Sequence, residues 1–148
     1  MIQYLEHHIV DHCNLNCAGC THFSPLVEEP WYEDIRIFKQ DFTKLAEMTD
    51  VRLIRLMGGE PLLHPQLCEF LQIVRNLFPN SEIQLVTNGI LLKQRRDELL
   101  PLCNNLKIKI CTSNYHLNFS IDEYLKGFKY LNLFKYFKTQ ISPCLTSL

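Results

Sequence analysis

Short apolar runs alternate along the chain with longer runs whose apolar residues recur at helical spacing. The strand-like runs cover residues 4–10, 51–57, 82–87 and 106–113. The helix-like runs cover residues 34–48, the segment after His64-Pro65, residues 91–100 and residues 121–133. Strands that alternate with helices in this way form parallel sheets, so the pattern predicts an α/β fold. We expect a single domain over residues 1–148.

The strand at 106–113 carries apolar residues on one face only. Its apolar face holds Leu106, Ile108 and Ile110, and its other face holds Lys107, Lys109, Cys111 and Ser113. The strand at 82–87 alternates in a similar way, whereas strands of a parallel sheet covered on both sides are apolar on both faces. The polar face therefore indicates either a ligand-sized polar lumen or a sheet with water on one side. Both place ligand binding at the carboxyl ends of the strands.

The overall composition excludes several classes of partner. Hydrophobic residues make up 47% of the chain and charged residues 21%, and the net charge is −1. This balance favours neither nucleic acid nor an anionic membrane as a partner. No apolar run is long enough to cross a bilayer, and the first residues do not have the pattern of a signal peptide. We therefore expect a cytoplasmic protein, where clustered cysteines indicate metal or redox chemistry rather than disulfides.

Three cysteines lie on one loop directly after the first strand. Cys13, Cys17 and Cys20 have the spacing C-x3-C-x2-C. A structural zinc site needs four ligands, and His22 or His12 could supply the fourth. An electron carrier with a cubane cluster needs four cysteines, and the remaining cysteines are isolated in the sequence. Three thiolates suit a [4Fe–4S] cluster with one iron open to a small molecule.

Two further motifs follow the next two strands. The sequence Gly58-Gly59-Glu60-Pro61 follows the second strand, and Thr87-Asn88-Gly89 follows the third. Because the carboxyl ends of parallel strands share one edge of the sheet, we expect all three motifs to meet there. The two glycines allow a ligand to approach the backbone closely, and Glu60 can accept a hydrogen bond from a protonated amine. A tight turn before a helix would also explain the glycines.

These three motifs, in this order and at these strand ends, resemble those of the radical S-adenosylmethionine (radical SAM) superfamily. The resemblance spans residues 4–113 and implies a parallel-sheet partial (β/α) barrel. It also implies that Cys13, Cys17 and Cys20 hold three irons of a [4Fe–4S] cluster, with S-adenosylmethionine chelating the fourth. The reduced cluster would then cleave the cofactor, and the resulting 5′-deoxyadenosyl radical would take hydrogen from a substrate.

The resemblance also assigns cofactor-binding positions in this sequence. They are Gly19, Gly58, Gly59, Glu60, Pro61, Asn88 and Ser113. Asn88 and Ser113 correspond to positions near the ribose and carboxylate of the cofactor, although polar residues there could equally be local caps. Gly19 stands where the family usually has an aromatic residue. The backbone contact to adenine could remain there, but the side-chain packing could not.

The chain is short for this family, whose core has six strand–helix units where the sequence predicts about four. Residues 114–148 are expected to be a helical C-terminal segment that leaves the fourth strand exposed at the sheet edge. A truncated product, a split enzyme completed by a second chain, and a minimal variant remain alternatives. The expected partners are an unidentified substrate and an electron donor such as a flavodoxin or ferredoxin. The rival functions are a cofactor-binding fragment without turnover and a zinc-stabilised structural domain.

Overall fold

A five-stranded parallel sheet forms the centre of the molecule. The computed structural model describes residues 1–17, 19–114 and 122–135. The strands are β1 (Leu5–Val10), β2 (Leu53–Gly58), β3 (Glu82–Thr87), β4 (Ile108–Asn114) and β5 (Leu131–Lys135), in the order β1-β2-β3-β4-β5. The helices are α1 (Ile35–Met48), α2 (Leu67–Leu77), α3 (Leu92–Leu106) and α4 (Asp122–Leu125). Each neighbouring pair of strands is parallel, so every connection crosses from one end of the sheet to the other.

The structure confirms that the four predicted strands and the first three helices exist, and it corrects two boundaries. The third helix continues past the predicted end at residue 100, so Leu106, expected on the apolar face of the fourth strand, is the last residue of α3, and β4 begins at Ile108. The predicted helix at 121–133 is wrong at its carboxyl end, because α4 ends at Leu125 and Leu131 begins β5. Residue 121 lies outside the described part of the chain. Residues 131–135 form a strand because the edge of β4 supplies backbone hydrogen-bonding partners for them. The spacing of apolar residues over so short a segment does not distinguish a helix from such a strand. The prediction that β4 forms an exposed edge is therefore also wrong, since β5 pairs with it.

One face of the sheet carries the hydrophobic core. The sheet residues of this core are Ile54, Leu56, Ile83, Leu85, Ile108 and Ile110, each at most 1% exposed. They belong to one cluster with Phe38 and Phe42 of α1, Phe70 of α2 and Leu92 of α3. Within the described ranges, no helix has the length and apolar character needed to cross a bilayer.

The opposite face carries a row of polar side chains, as the strand pattern predicts. Strand register places Glu6, Arg55, Gln84 and Lys109 side by side across β1 to β4. Arg55 forms an ion pair of 2.9 Å with Glu6, and Lys109 forms one of 2.6 Å with Glu82. This polar row lies below the carboxyl edge, where the three motif loops lie.

Candidate functional site

The backbone of the GGEP motif packs directly against the chain that leads into the cysteine loop. Gly59 N donates to Val10 O at 3.0 Å, and Glu60 N donates to His12 O at 3.0 Å. A Cβ on Gly58 would lie 2.1 Å from Val10 O, and one on Gly59 would lie 2.0 Å from His12 O. Gly58 also has a φ of +154°, which side chains disfavour. Both positions therefore require glycine for two loops to lie backbone against backbone.

Glu60 joins the GGEP motif to the TNG motif of the next strand. Its side chain is fully buried. The carboxylate accepts hydrogen bonds from Thr87 Oγ1 at 2.6 Å, Asn88 N at 2.8 Å and Leu62 N at 3.0 Å. A buried carboxylate is stable only when such donors surround it. The Glu60 carboxyl group consequently connects the GGEP loop to the TNG loop.

Burial raises the pKa of the Glu60 carboxyl to about 7, although its three hydrogen-bond donors act in the opposite direction. The donors come from the protein itself, so the structure gives this carboxylate a structural role that the sequence did not indicate. Acceptance of a hydrogen bond from a ligand amine stays a prediction. Pro61 follows as the first residue of a short 3-10 turn, Pro61–Leu63, which Glu60 caps.

Asn88 reaches from the TNG motif to the cysteine loop. Its Nδ2 lies 2.7 Å from Asn14 Oδ1 and 3.6 Å from Cys13 Sγ. Its Oδ1 accepts a hydrogen bond from Ile90 N at 3.0 Å. All three motifs are therefore in contact, as the parallel sheet predicts. The predicted contact of Asn88 with a ribose is not tested.

Cys13, the first of the three cysteines, is held in a polar environment inside the loop. Its sulfur also accepts a hydrogen bond from Leu15 N at 3.4 Å. Burial is the largest influence on its pKa, which rises to about 11, and the nearby charges of Glu60 and Cys20 add to this rise. A thiol with a raised pKa becomes a thiolate when a metal compensates its charge. Cys17 and Cys20 are half-buried, and Cys20 N donates to Cys17 O at 3.2 Å.

The donors around the first cysteine suit a metal-bound thiolate. Leu15 N lies 3.4 Å and Asn88 Nδ2 lies 3.6 Å from Cys13 Sγ. Among the described residues, no group of three or more His, Cys, Asp or Glu side chains is arranged around a single point that could hold a metal ion. His22, the fourth zinc ligand considered above, packs instead against the His8 ring at 4.8 Å between centroids. N–H donors aimed at sulfur are typical of iron–sulfur sites.

Two further predicted positions lie at this end of the sheet. Gly19 is exposed, and a Cβ there would meet no atom within 4 Å among the described residues outside its own chain neighbours, so none of them fills the place of the family's aromatic side chain. Ser113 lies near the end of β4, where its backbone pairs with Phe134 of β5. The roles of both residues stay predictions.

Three residues have a role in the site that their motifs do not indicate. Thr87, named above only as part of its motif, bonds Glu60, and Asn14 bonds Asn88. Ser24 is buried, and its Oγ has no hydrogen-bond partner among the described residues. The position of Thr87 at the strand end could have suggested its role. Asn14 and Ser24 have no comparable signal, because their positions depend on how the loop folds.

Comparison with known proteins identifies what this arrangement resembles. The family model for the Radical SAM superfamily matches residues 8–115. The GTP 3',8-cyclase of Nautilia profundicola is 33% identical over 100 residues, which are 66% of this chain and 31% of that protein. The GTP 3',8-cyclase of Pelotomaculum thermopropionicum is 35% identical over 99 residues, which are 66% of this chain and 30% of that protein. The chain thus spans about a third of the length of these curated relatives.

The fold is similar to that of a solved enzyme structure. The crystal structure of BtrN in complex with AdoMet and 2-DOIA superimposes with a TM-score of 0.66 at 20% sequence identity. The match covers 89% of this chain and 57% of that one. This likeness supports the predicted partial barrel.

The close approach of the first two motifs predicts that Gly59 and Gly19 differ in how well they tolerate replacement by alanine. We expect Gly59→Ala to lower the free energy of unfolding by roughly 3 kcal/mol, because its Cβ would collide with a backbone oxygen. Gly19→Ala, the matched control, should change it by less than about 0.5 kcal/mol, because the space there is open. Urea denaturation of both variants measures this difference. Equal effects would contradict the proposed backbone contact.

The raised pKa of Glu60 predicts a pH-dependent contribution to stability. Between pH 4.5 and about 7 the unfolded state ionises at this position while the folded state keeps its proton. The contribution of Glu60 to stability therefore falls as pH rises through this window, by about 3 kcal/mol in total, and is constant above it. Glu60→Gln cannot titrate. Denaturation of the wild-type and variant proteins from pH 4.5 to 8 isolates this change, and a difference that is independent of pH would contradict it.

Proposed function

The chain belongs to the radical SAM superfamily, and on that premise we propose that it binds a [4Fe–4S] cluster and reductively cleaves S-adenosylmethionine. The superfamily uses both of these cofactors. When bound, they supply an electron and a carbon-centred radical that removes hydrogen from a substrate. The observation that carries the proposal is the hydrogen-bonded contact of all three motifs at one edge of the sheet.

The three cysteines would hold three irons and leave the fourth open to the cofactor. Cys13, Cys17 and Cys20 are half-buried, so their thiols can be reached from the carboxyl edge. The Leu15 and Asn88 N–H groups already point at Cys13 Sγ and would stabilise it as a thiolate. This preorganisation lowers the cost of assembling a charged cluster in a partly buried loop.

The GGEP motif would receive the methionine end of S-adenosylmethionine. Gly58 and Gly59 let the backbone of the motif pack against Val10 and His12, which places it beside the cysteine loop where the cluster would be bound. Glu60 lies directly below this backbone with a pKa raised to about 7. A protonated amine bound nearby would favour the ionised carboxylate and lower that pKa.

The similarity to the GTP 3',8-cyclases does not assign their substrate to this chain. The GTP 3',8-cyclases match this chain over about a third of their length, and the superfamily model matches residues 8–115, which hold all three motifs. We infer that this shared part binds the cofactors, and that this chain contacts its substrate through residues that differ from those of the GTP 3',8-cyclases. The polar row containing Arg55, Gln84 and Lys109 would form the floor of the substrate space. Its cations are already paired with Glu6 and Glu82, which favours an uncharged polar substrate over a polyanion.

The remaining partners follow from the same chemistry. Reductive cleavage requires an external electron donor, such as a flavodoxin or ferredoxin. A second chain placed beside β5 could complete the barrel, because a parallel strand edge can pair with a further strand. An oxygen-sensitive cluster and free cysteines suit a reducing compartment, so we assign this activity to the cytoplasm.

Metal analysis and product formation test this proposal. The protein is reconstituted anaerobically with iron and sulfide, reduced, and incubated with S-adenosylmethionine. We expect about four irons per chain and the release of 5′-deoxyadenosine. Cys17→Ala should lose the cluster and the product, because it removes one of three iron ligands. His22→Ala is the matched control and should retain both, since His22 packs against His8.

The pattern of results separates the rival functions. Zinc in place of iron, together with loss of metal in His22→Ala, would contradict the proposal and support a zinc-stabilised domain. Iron without 5′-deoxyadenosine would show a fragment that binds the cluster without turnover.

A further inference from the structure

We infer that Asn88 is a positioning residue for the iron–sulfur cluster, acting through a hydrogen bond from its amide to the sulfur of Cys13. The inference rests on the proposed function, since it requires that Cys13 ligate the cluster. It assigns Asn88 a role different from a contact with the cofactor's ribose. The role would set both the orientation of the ligand and the reduction potential of the cluster.

The orientation of the Asn88 amide follows from its neighbours. The backbone N–H of Ile90 can only donate, so the side-chain atom that lies 3.0 Å from it must be the oxygen. The amide nitrogen therefore faces the cysteine loop. It lies 2.7 Å from Asn14 Oδ1 and 3.6 Å from Cys13 Sγ. The two N–H bonds of one amide can serve both acceptors, which leaves no polar atom of this side chain without a partner.

A hydrogen bond to a ligating sulfur changes the electronic properties of a cluster. An N–H group pointed at a cysteine sulfur withdraws electron density from it and stabilises the more negative, reduced state. Cys13 receives two such groups, the backbone N–H of Leu15 and the side-chain amide of Asn88. The Leu15 donor belongs to the backbone and remains when side chains are changed, whereas a substitution of Asn88 removes the hydrogen bond from its amide. The contribution of this bond to the potential can consequently be measured separately.

The same residue also connects the cluster loop to Glu60. The backbone N–H of Asn88 donates to Glu60 Oε2 at 2.8 Å, while its side chain contacts Cys13. Two hydrogen bonds, both made by Asn88, thus link the Glu60 carboxylate to the sulfur of Cys13. Thr87 reinforces the connection, because its Oγ1 donates to Glu60 and accepts from Gly89 N at 3.0 Å. The position of Asn88 is therefore fixed by hydrogen bonds of its own backbone and of the neighbouring residues in the TNG motif.

The test compares midpoint potentials of reconstituted protein. Asn88→Ser keeps an oxygen that can accept from Ile90 N, but it is too short to reach Cys13. We expect iron content like that of the wild type and a reduction equilibrium about tenfold less favourable, which is about 59 mV lower for one electron. His22→Ala is the matched control, because the His22 ring packs against His8 and its removal leaves the Asn88 amide facing Cys13. Its potential should stay near that of the wild type.

A second variant covers the case in which Asn88→Ser does not fold. Asn88→Asp keeps the shape and the bond from Ile90, cannot donate to sulfur, and should lower the potential further through its charge. A wild-type potential in either folded variant, or an equal fall in His22→Ala, would overturn the inference. Absence of iron from the wild-type protein would instead overturn the proposed function. The two failures are therefore distinguishable.

Discussion

A single buried carboxylate holds the candidate site together. Glu60 lies between the loops that follow β2 and β3, and its backbone N–H extends the contact to His12 beside the cysteine loop. A carboxylate without access to water requires hydrogen-bond donors, and the only groups that satisfy Glu60 within the described residues come from its own turn and the TNG motif. The requirement to satisfy this one group therefore positions the GGEP and TNG motifs against each other, and the side chain of Asn88 joins the cysteine loop to them.

The glycines and the parallel sheet make that arrangement possible. Parallel strands deliver successive loops to one edge, and Gly58 and Gly59 let two of those loops lie backbone against backbone. Hydrogen bonds then run continuously from the buried carboxylate through Asn88 to the sulfur of Cys13. The three loops that would bind the cofactors are thus joined by hydrogen bonds into one connected site. The polar face of the sheet lies beneath it.

Most of the fold and part of the site could be predicted from the sequence. Alternating runs revealed four strands, and Cys13, Gly59 and Asn88 were recognisable because their motifs follow strand ends. The fifth strand was not, because a run as short as Leu131–Lys135 has no decisive period and depends on pairing with β4. The protein-supplied donors around Glu60 were also missed. Burial and hydrogen-bond partners arise from tertiary packing, which motif spacing does not encode.

The most direct test of this account is the electron paramagnetic resonance spectrum of the anaerobically reconstituted, reduced protein, recorded with and without S-adenosylmethionine. We predict the signal of a reduced [4Fe–4S] cluster that shifts when S-adenosylmethionine is added, because Cys13, Cys17 and Cys20 would leave one iron open to the cofactor. A cluster signal that does not respond to S-adenosylmethionine would contradict the account. It would show that the three motif loops, although joined through Glu60, do not form a cofactor site.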